Sequence, residues 1–425
     1  MKIIQIFLNQ YYFVTPLFYS FGNAAEEIYW ASARARVFGR KLIILRPMKF
    51  TQILNYSICN TELFNLQIGY KNNIVDISIK NIATVYINII FFLKRSMAIY
   101  MRHYHNLIFP EHYFFPKIGK SNFWPNLHRL SRTIDGYKED PIFNALDTLP
   151  APLLHKKNHN VECDDFDTLI KKVGCKYVCL HVRESGYHND ADKRPYRNAS
   201  INNYVPAILK IIDSGLSVVR IGDRSMSPCE IMHDQFIDTC NWNKNDYFDL
   251  YLIQNCEFYV GMQSGPFDLA LLFKKPVLLL NMYDWFFAGP MKFCDRGLLK
   301  KIYIPSIGEI NSLNGYFRLE HKYTDFNRNI KPEECIFIEN TENEILAATI
   351  EFLQDYFSGF SRAPSDDLLG DKKRHQEYCY QIIKNSIQLI PGSEIEEDYV
   401  ISRSIYRVIS TLGFLYCSSK LLKKN

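Results

Sequence analysis

Residues 177 to 186 read Tyr-Val-Cys-Leu-His-Val-Arg-Glu-Ser-Gly. The run from Tyr177 to Val182 is apolar apart from His181, and then breaks off into charge and a Ser-Gly turn. A strand that shows no polar alternation must be covered on both faces, which is the condition of a parallel sheet. The same pattern recurs downstream. Leu216 to Ile221 runs into Gly222-Asp-Arg-Ser225, Phe258 to Gly261 runs into Met262-Gln-Ser-Gly-Pro266, and Pro276 to Asn281 closes the series. Between these runs, Ile201 to Ser214, Tyr247 to Asn255 and Pro266 to Phe273 have helical spacing, the first ended by Gly215. Strands alternating with helical crossovers predict a doubly wound α/β domain.

On the C-terminal side, Thr341 followed three residues later by Glu344 is a capping box opening a helix from Ile345 to Phe357. The remainder of the chain reads as a mostly helical, amphipathic tail packing back on the N-terminal domain. On the N-terminal side, Ile3 to Phe7, the turn Phe21-Gly-Asn-Ala24, a helical stretch from Glu26 to Phe38 and the run Lys41 to Leu45 predict a strand, loop, helix, strand unit. Glu26 and Glu27 would then lie in the first helical turn, and Gly39 at the C-cap. From Asn55 to Asn144 the periodic signals blur. The Pro-rich, polar stretch from Thr148 to Asn160 reads as a linker. The chain therefore divides at residues 1–160, 161–360 and 361–425. Its length of 425 residues suits two α/β domains and an appendage.

Composition sets limits on partners. Hydrophobic residues make up 47% and charged residues 22%, a globular balance. Fifty basic against 45 acidic side chains leave a net charge of +5, too small a field to argue for nucleic acid. The 11 cysteines include no C-x-x-C pair and predict reduced thiols of a cytoplasm; Cys175 and Cys179 read as core. The stretch from Ile82 to Leu93, followed by Lys94-Arg95, falls well short of the ~20 residues that span a bilayer. It reads either as a buried helix with a basic solvated end or as a peripheral contact on a membrane surface.

Ligands of a doubly wound sheet bind beyond the carboxyl ends of its strands. The strand ends here carry His181, Arg183, Glu184, Ser185 and Gly186; then Gly222, Asp223, Arg224 and Ser225; then Gln263, Ser264 and Gly265 directly before a helix. Guanidinium groups together with amides at a helix N-terminus stabilise a departing diphosphate without a metal or other cofactor. Glu184 stands either to bind ribose or sugar hydroxyls or to pair with Arg183 or Arg224. His181 either packs inside its strand end or acts as a base.

These motifs, with Tyr196-Arg-Asn-Ala-Ser200, Lys275-Pro-Val-Leu-Leu-Leu-Asn281 and the N-terminal Gly22-Asn-Ala-Ala-Glu-Glu27, resemble a family of bacterial glycosyltransferases from surface-polysaccharide loci. More distantly, the His-x-Arg strand end is similar to that of fucosyltransferases. The resemblance implies a GT-B fold: two Rossmann-like domains whose parallel sheets face a central cleft. It implies a nucleotide-sugar donor, a glycan or lipid-linked acceptor at the inner face of the cytoplasmic membrane, and Arg183 on the diphosphate beside Ser264 and Gly265. Arg183, Arg224 and Glu184 would be the catalytic set, Arg197 would join the donor contacts, and Gly22, Asn23 and Glu26 would face the acceptor. Glu184 stands where fucosyltransferases carry a second arginine, which puts GDP-fucose in doubt. A sugar-nucleotide epimerase of the same fold and a non-catalytic glycan-binding scaffold are the alternatives. On this reading Arg183→Ala abolishes transfer while costing no more than about 1 kcal/mol of stability.

Overall fold

The computed structural model describes residues 10–16, 20–46, 58–70, 72–92, 148–154, 176–186, 195–283, 292–306, 308–310, 336–361 and 414–416. The strand expected at Ile3 to Phe7 lies outside these residues, as do Lys94-Arg95 and most of the tail.

The N-terminal unit is β1 (Tyr11–Val14), α1 (Phe21–Val37), β2 (Lys41–Ile44) and α2 (Ile74–Phe92), with β1 and β2 parallel. Helix α1 begins five residues earlier than its periodicity suggested, at Phe21, so Gly22 and Asn23 belong to its first turn. Glu26 and Glu27 consequently sit beyond that turn, which carries no acidic residue. The helix C-cap is Phe38, and Gly39, expected at the cap, follows it in the left-handed conformation with φ +62°. Residues 148–154, read as linker, pair with this unit through an antiparallel bridge between Gln67 and Leu153.

The larger layer is a seven-stranded sheet. Its strands are β3 (Tyr177–His181), β4 (Ser217–Arg220), β5 (Phe236–Asp238), β6 (Tyr259–Gly261), β7 (Val277–Met282), β8 (Arg296–Leu299) and β12 (Phe414–Tyr416). They run in the order β12-β8-β7-β6-β3-β4-β5, with every pairing parallel. Strand β12 corrects the helical reading of the tail in its described part: the aromatic and apolar Phe414-Leu-Tyr416 extends the sheet edge instead. A small antiparallel sheet of β9 (Lys301–Ile304), β10 (Gly308–Ile310) and β11 (Ile336–Ile338) stands beside it.

Because successive residues of a strand point to opposite faces, the parallel sheet divides its side chains between two cores. Tyr177, Cys179, Val219, Tyr259, Val277 and Leu279 face α4 (Asp246–Asn255) and α5 (Gly265–Leu272). Val178, Leu180, Val218, Val260, Leu278 and Leu280 face α3 (Val205–Asp213) and α6 (Glu342–Phe357). Helix α6 carries the expected capping box of Thr341 and Glu344. The first core does not stop at the sheet. It continues through Phe267 and Ala270 of α5 into Ala24, Ile28 and Ala31 of α1 and on to Tyr12 and Val14 of β1. Small residues along that face let α1 and α5 approach closely, so the N-terminal unit shares an apolar core with the sheet.

Candidate functional site

The chain enters the sheet at β3, winds outward through β4 and β5, and then returns to the other side of β3 as β6 and β7. The reversal falls between β3 and β6, the switch point at which the two following loops diverge and leave a crevice. A cleft of about 800 Å³ opens there, along the carboxyl ends of five consecutive strands from β7 to β5.

Two helix N-termini close one side of it. Ser20 and Ser264 precede α1 and α5 in extended conformation, and neither side chain caps its helix. Around them, Phe21, Gly22, Asn23, Gly265 and Asp268 line the cleft. The first intrahelical bond of α1 is donated by the Ala24 amide, so the amides of Phe21, Gly22 and Asn23 precede it. In α5 the same positions offer less. Pro266 has no N–H and the Phe267 amide is bonded to the Ser264 carbonyl, so Gly265 is the chief donor. The positive end of a helix dipole is thus supplied twice at one place.

Cations come from the strand ends. Arg183 is 5% exposed and donates to Asn198 Oδ1, while Arg224 lies on the surface of the cleft. Arg197 reaches the cleft from a short helical turn at Pro195–Arg197; its guanidinium stacks 5.6 Å from the Tyr283 ring and its buried Nε has no hydrogen-bond partner. Lys244 also lines the cleft, bonded to Asp249 at 3.0 Å and to the Gly222 carbonyl. His181 is buried with Nδ1 3.1 Å from Ser264 Oγ. Burial pushes its pKa down to about 3, and Arg220, Lys244 and Arg183 push in the same direction against Asp223. The imidazole is therefore neutral at physiological pH, chiefly because it is buried.

Most acidic groups at the cleft are already engaged. The Asp246 carboxylate accepts from the amide and hydroxyl of Thr61, at 2.7 Å each, and Asp223 Oδ1 accepts from the Ser225 amide at 2.8 Å. Glu184 accepts from the Ser227 amide and hydroxyl and pairs with Arg220 at 3.2 Å. Glu184 is thus in an ion pair, with the fully buried Arg220 and with neither of the arginines expected. No group of three or more His, Cys, Asp or Glu placed to hold a metal ion occurs among the described residues.

Of the residues singled out in the sequence, His181, Arg183, Glu184, Arg197, Gly222, Asp223, Arg224, Gln263, Ser264, Gly265, Gly22 and Asn23 come together on this cleft. Ser185, Gly186, Ser225 and Glu26 do not line it. Gly186 instead packs against Ser225, where a side chain would collide with the serine. Gly222 is small for a similar reason, since a Cβ there would meet Met226 and Cys240. Gln263 spends its Oε1 on the Tyr283 amide at 2.9 Å.

Sequence reasoning missed the segment from Trp242 to Asp246, together with Asp249, Cys59 and Asn60, which line the same cleft. The signal was present in part. Asn245 is the N-cap of α4, accepting from the amides of Tyr247 and Phe248, and it sits in the polar run Asn243-Lys-Asn-Asp246. What was lacking was β5, only three residues long after a polar stretch.

No family model matches the chain, and no curated protein does. Among solved structures, the dodecameric iron-containing heptosyltransferase TibC in complex with ADP-D-beta-D-heptose matches 84% of this chain and 78% of its own, at 11% identity and a TM-score of 0.33. A likeness at that level carries no inference about the site.

Proposed function

We propose that the chain is a glycosyltransferase that moves a sugar from a nucleotide-sugar donor to a surface-polysaccharide or lipid-linked glycan acceptor, at the inner face of the cytoplasmic membrane. The observation that carries this reading is the convergence of Arg183, Arg197 and Arg224 with the N-termini of α1 and α5 on one cleft at the sheet's switch point. In a GT-B arrangement, the seven-stranded sheet would be the donor-binding half and the β1-α1-β2 unit part of the acceptor-binding half. Transfer breaks the bond between the anomeric carbon and the diphosphate oxygen and forms one to an acceptor hydroxyl, whose proton leaves to a base. Negative charge accumulates on the departing diphosphate, and preorganised guanidinium and amide donors stabilise it where it develops. In this mechanism those groups take the place of a metal ion.

The test is a thermal-shift panel of UDP-, GDP-, CMP- and dTDP-sugars, followed by analysis of the product of any that binds. A donor present at ~100 times its dissociation constant adds ~2.7 kcal/mol to stability. The expected result is stabilisation by one nucleotide class, with slow release of free sugar that continues in EDTA. An altered nucleotide sugar in place of free sugar would mark an epimerase. Binding without turnover would mark a scaffold, and the absence of any shift would overturn the donor reading.

A further inference from the structure

Helix α2 is built inside out. Four of its polar residues recur every four positions, at Asp76, Lys80, Thr84 and Asn88, and this row is turned toward the protein, whereas Ser78 and Asn81 are exposed. Asp76 is 1% exposed and held by Lys41 Nζ at 3.0 Å and the Tyr11 hydroxyl at 3.2 Å. Lys80 Nζ donates to the Phe64 carbonyl at 2.7 Å, and the fully buried Asn88 donates to the carbonyls of Thr84 and Arg46. Large apolar side chains are open to solvent elsewhere on the helix: Ile74 is 83% exposed, Ile82 71%, and Val75, Val85, Tyr86 and Ile89 between 42% and 52%. Spacings of three, four and seven residues from Ile82 to Ile89 make a continuous stripe in the C-terminal half, and N-terminal to it Ser78 and Asn81 interrupt the apolar side chains.

A half-helix that buries Thr84 and Asn88 and shows Ile82, Val85 and Ile89 to water is the reverse of a soluble surface helix, and such a stripe marks contact with an apolar phase. A second copy of the chain is a poor occupant. Stable protein interfaces take roughly 20–30 residues a side, whereas this stripe is one helix wide. A lipid surface needs only the stripe, with cations at its margin. Arg46, whose carbonyl is bonded by Asn88, is exposed beside the C-terminal half of the helix, and Leu93-Lys-Arg95 follows its last residue in the sequence. No helix among the described residues is long and apolar enough to cross a membrane, so α2 would lie along the surface.

We infer that the outward face of α2 is a docking surface for an anionic lipid bilayer, with Ile82, Val85, Tyr86 and Ile89 entering the headgroup region. This assigns a surface to the membrane placement proposed above and does not depend on the transferase chemistry.

The experiment is sedimentation of the full chain with vesicles of phosphatidylethanolamine and phosphatidylglycerol, with phosphatidylcholine vesicles as the neutral control. The chain should bind the anionic vesicles, and the variant carrying Ile82→Glu and Ile89→Glu should partition roughly tenfold or more weakly, since carboxylates replace the apolar contact. Both positions are exposed, so the thermal midpoint should hold and any donor-induced shift should persist, which separates this test from that of the transferase reading. Ile82→Ser with Ile89→Ser is the milder version should the charged variant unfold. Equal partitioning of chain and variant would overturn the inference, as would failure of the chain to bind either vesicle. A dimer of the unaltered chain that the variant abolishes, without vesicle binding, would also overturn it.

Discussion

Gly22 and Gly265 meet backbone to backbone where α1 crosses α5 at the wall of the cleft. A Cβ on Gly22 would lie 2.8 Å from the Gly265 Cα and would also collide with the Asp268 carboxylate, while one on Gly265 would lie 3.1 Å from the Gly22 nitrogen and 3.2 Å from Phe21 Cδ1. The approach brings both helix N-termini to one place and ties the N-terminal unit to the sheet's side of the cleft.

Unequal costs follow for the two alanine variants. Gly22→Ala presses on backbone that cannot turn aside, and overpacking of this kind costs about 1–3 kcal/mol. The gain in helix propensity of Ala over Gly, up to about 1 kcal/mol, offsets only part of it. Gly265→Ala needs a shift of a few tenths of an ångström and should be nearly neutral. Urea unfolding should therefore rank Gly22→Ala clearly below Gly265→Ala, with weaker donor-induced stabilisation in the former. Equal midpoints would show that the helices separate freely.

Arg224 and Arg183 differ in burial, and the difference decides what their removal reads out. Arg224 is exposed, so Arg224→Gln should change stability by no more than about 0.5 kcal/mol. Loss of a charge-assisted hydrogen bond to a diphosphate, about 1.5–3 kcal/mol, should weaken donor binding tenfold or more. Arg183 is 5% exposed and bonded to Asn198, so Arg183→Ala should lower both stability and donor binding, contrary to the stability-neutral effect its place after a strand suggested. Titration of donor against the Arg224 variant is the cleaner measurement, and unchanged affinity there would remove that residue from the site.

The fold was most legible where local rules and tertiary position agree. The apolar runs of β3, β4, β6 and β7 lie within a residue or two of their observed ends, because strands covered on both faces carry no competing polar pattern. The box of Thr341 and Glu344 was legible for the same reason, being a contact between near neighbours. Legibility failed where a distant partner decides. The ion pair of Glu184 with Arg220 joins the loop after β3 to the end of β4, 36 positions apart, and nothing in either motif names the other. Helix α2 defeats amphipathic logic outright, because Asp76 and Asn88 are buried against Lys41 and the Arg46 carbonyl. Gly22 looked like a loop residue because glycine is rare inside helices; its place in α1 is set by the closeness of α5.

Arg220, at the end of β4, joins the loop after β3, the loop after β4 and the end of β5. Its guanidinium bonds Asp238 at 2.8 Å, Glu184 at 3.2 Å and the Ser227 carbonyl at 2.7 Å, while the side chain is wholly buried. Breaking a buried pair costs about 3–5 kcal/mol, and the lower end applies to Arg220→Met because Glu184 and Asp238 keep 18% and 23% exposure. Glu184→Gln preserves shape and the acceptor for Ser227, so it should cost about 1 kcal/mol and leave transfer within severalfold of the parent. Paired stability and kinetic measurements decide between the two roles left open for this carboxylate. A collapse of kcat at unchanged stability would place it on the substrate.

The neutrality of His181 has a consequence for acid stability. Its pKa is pushed down to about 3 in the folded chain, by burial first and then by Arg220, against about 6.5 in an unfolded one. Between those values the unfolded chain binds a proton that the folded chain refuses, and stability rises with pH wherever the unfolded state holds more protons. This residue therefore costs no stability above about pH 6.5, and its presence erodes stability as the pH falls toward 3, by at most about 1.4 kcal/mol per pH unit. His181→Asn, which keeps a polar group within reach of Ser264, should flatten that slope whatever its effect on absolute stability. Urea unfolding of parent and variant at several pH values in this window provides the comparison. Parallel slopes would mean that the imidazole already carries its proton in the fold.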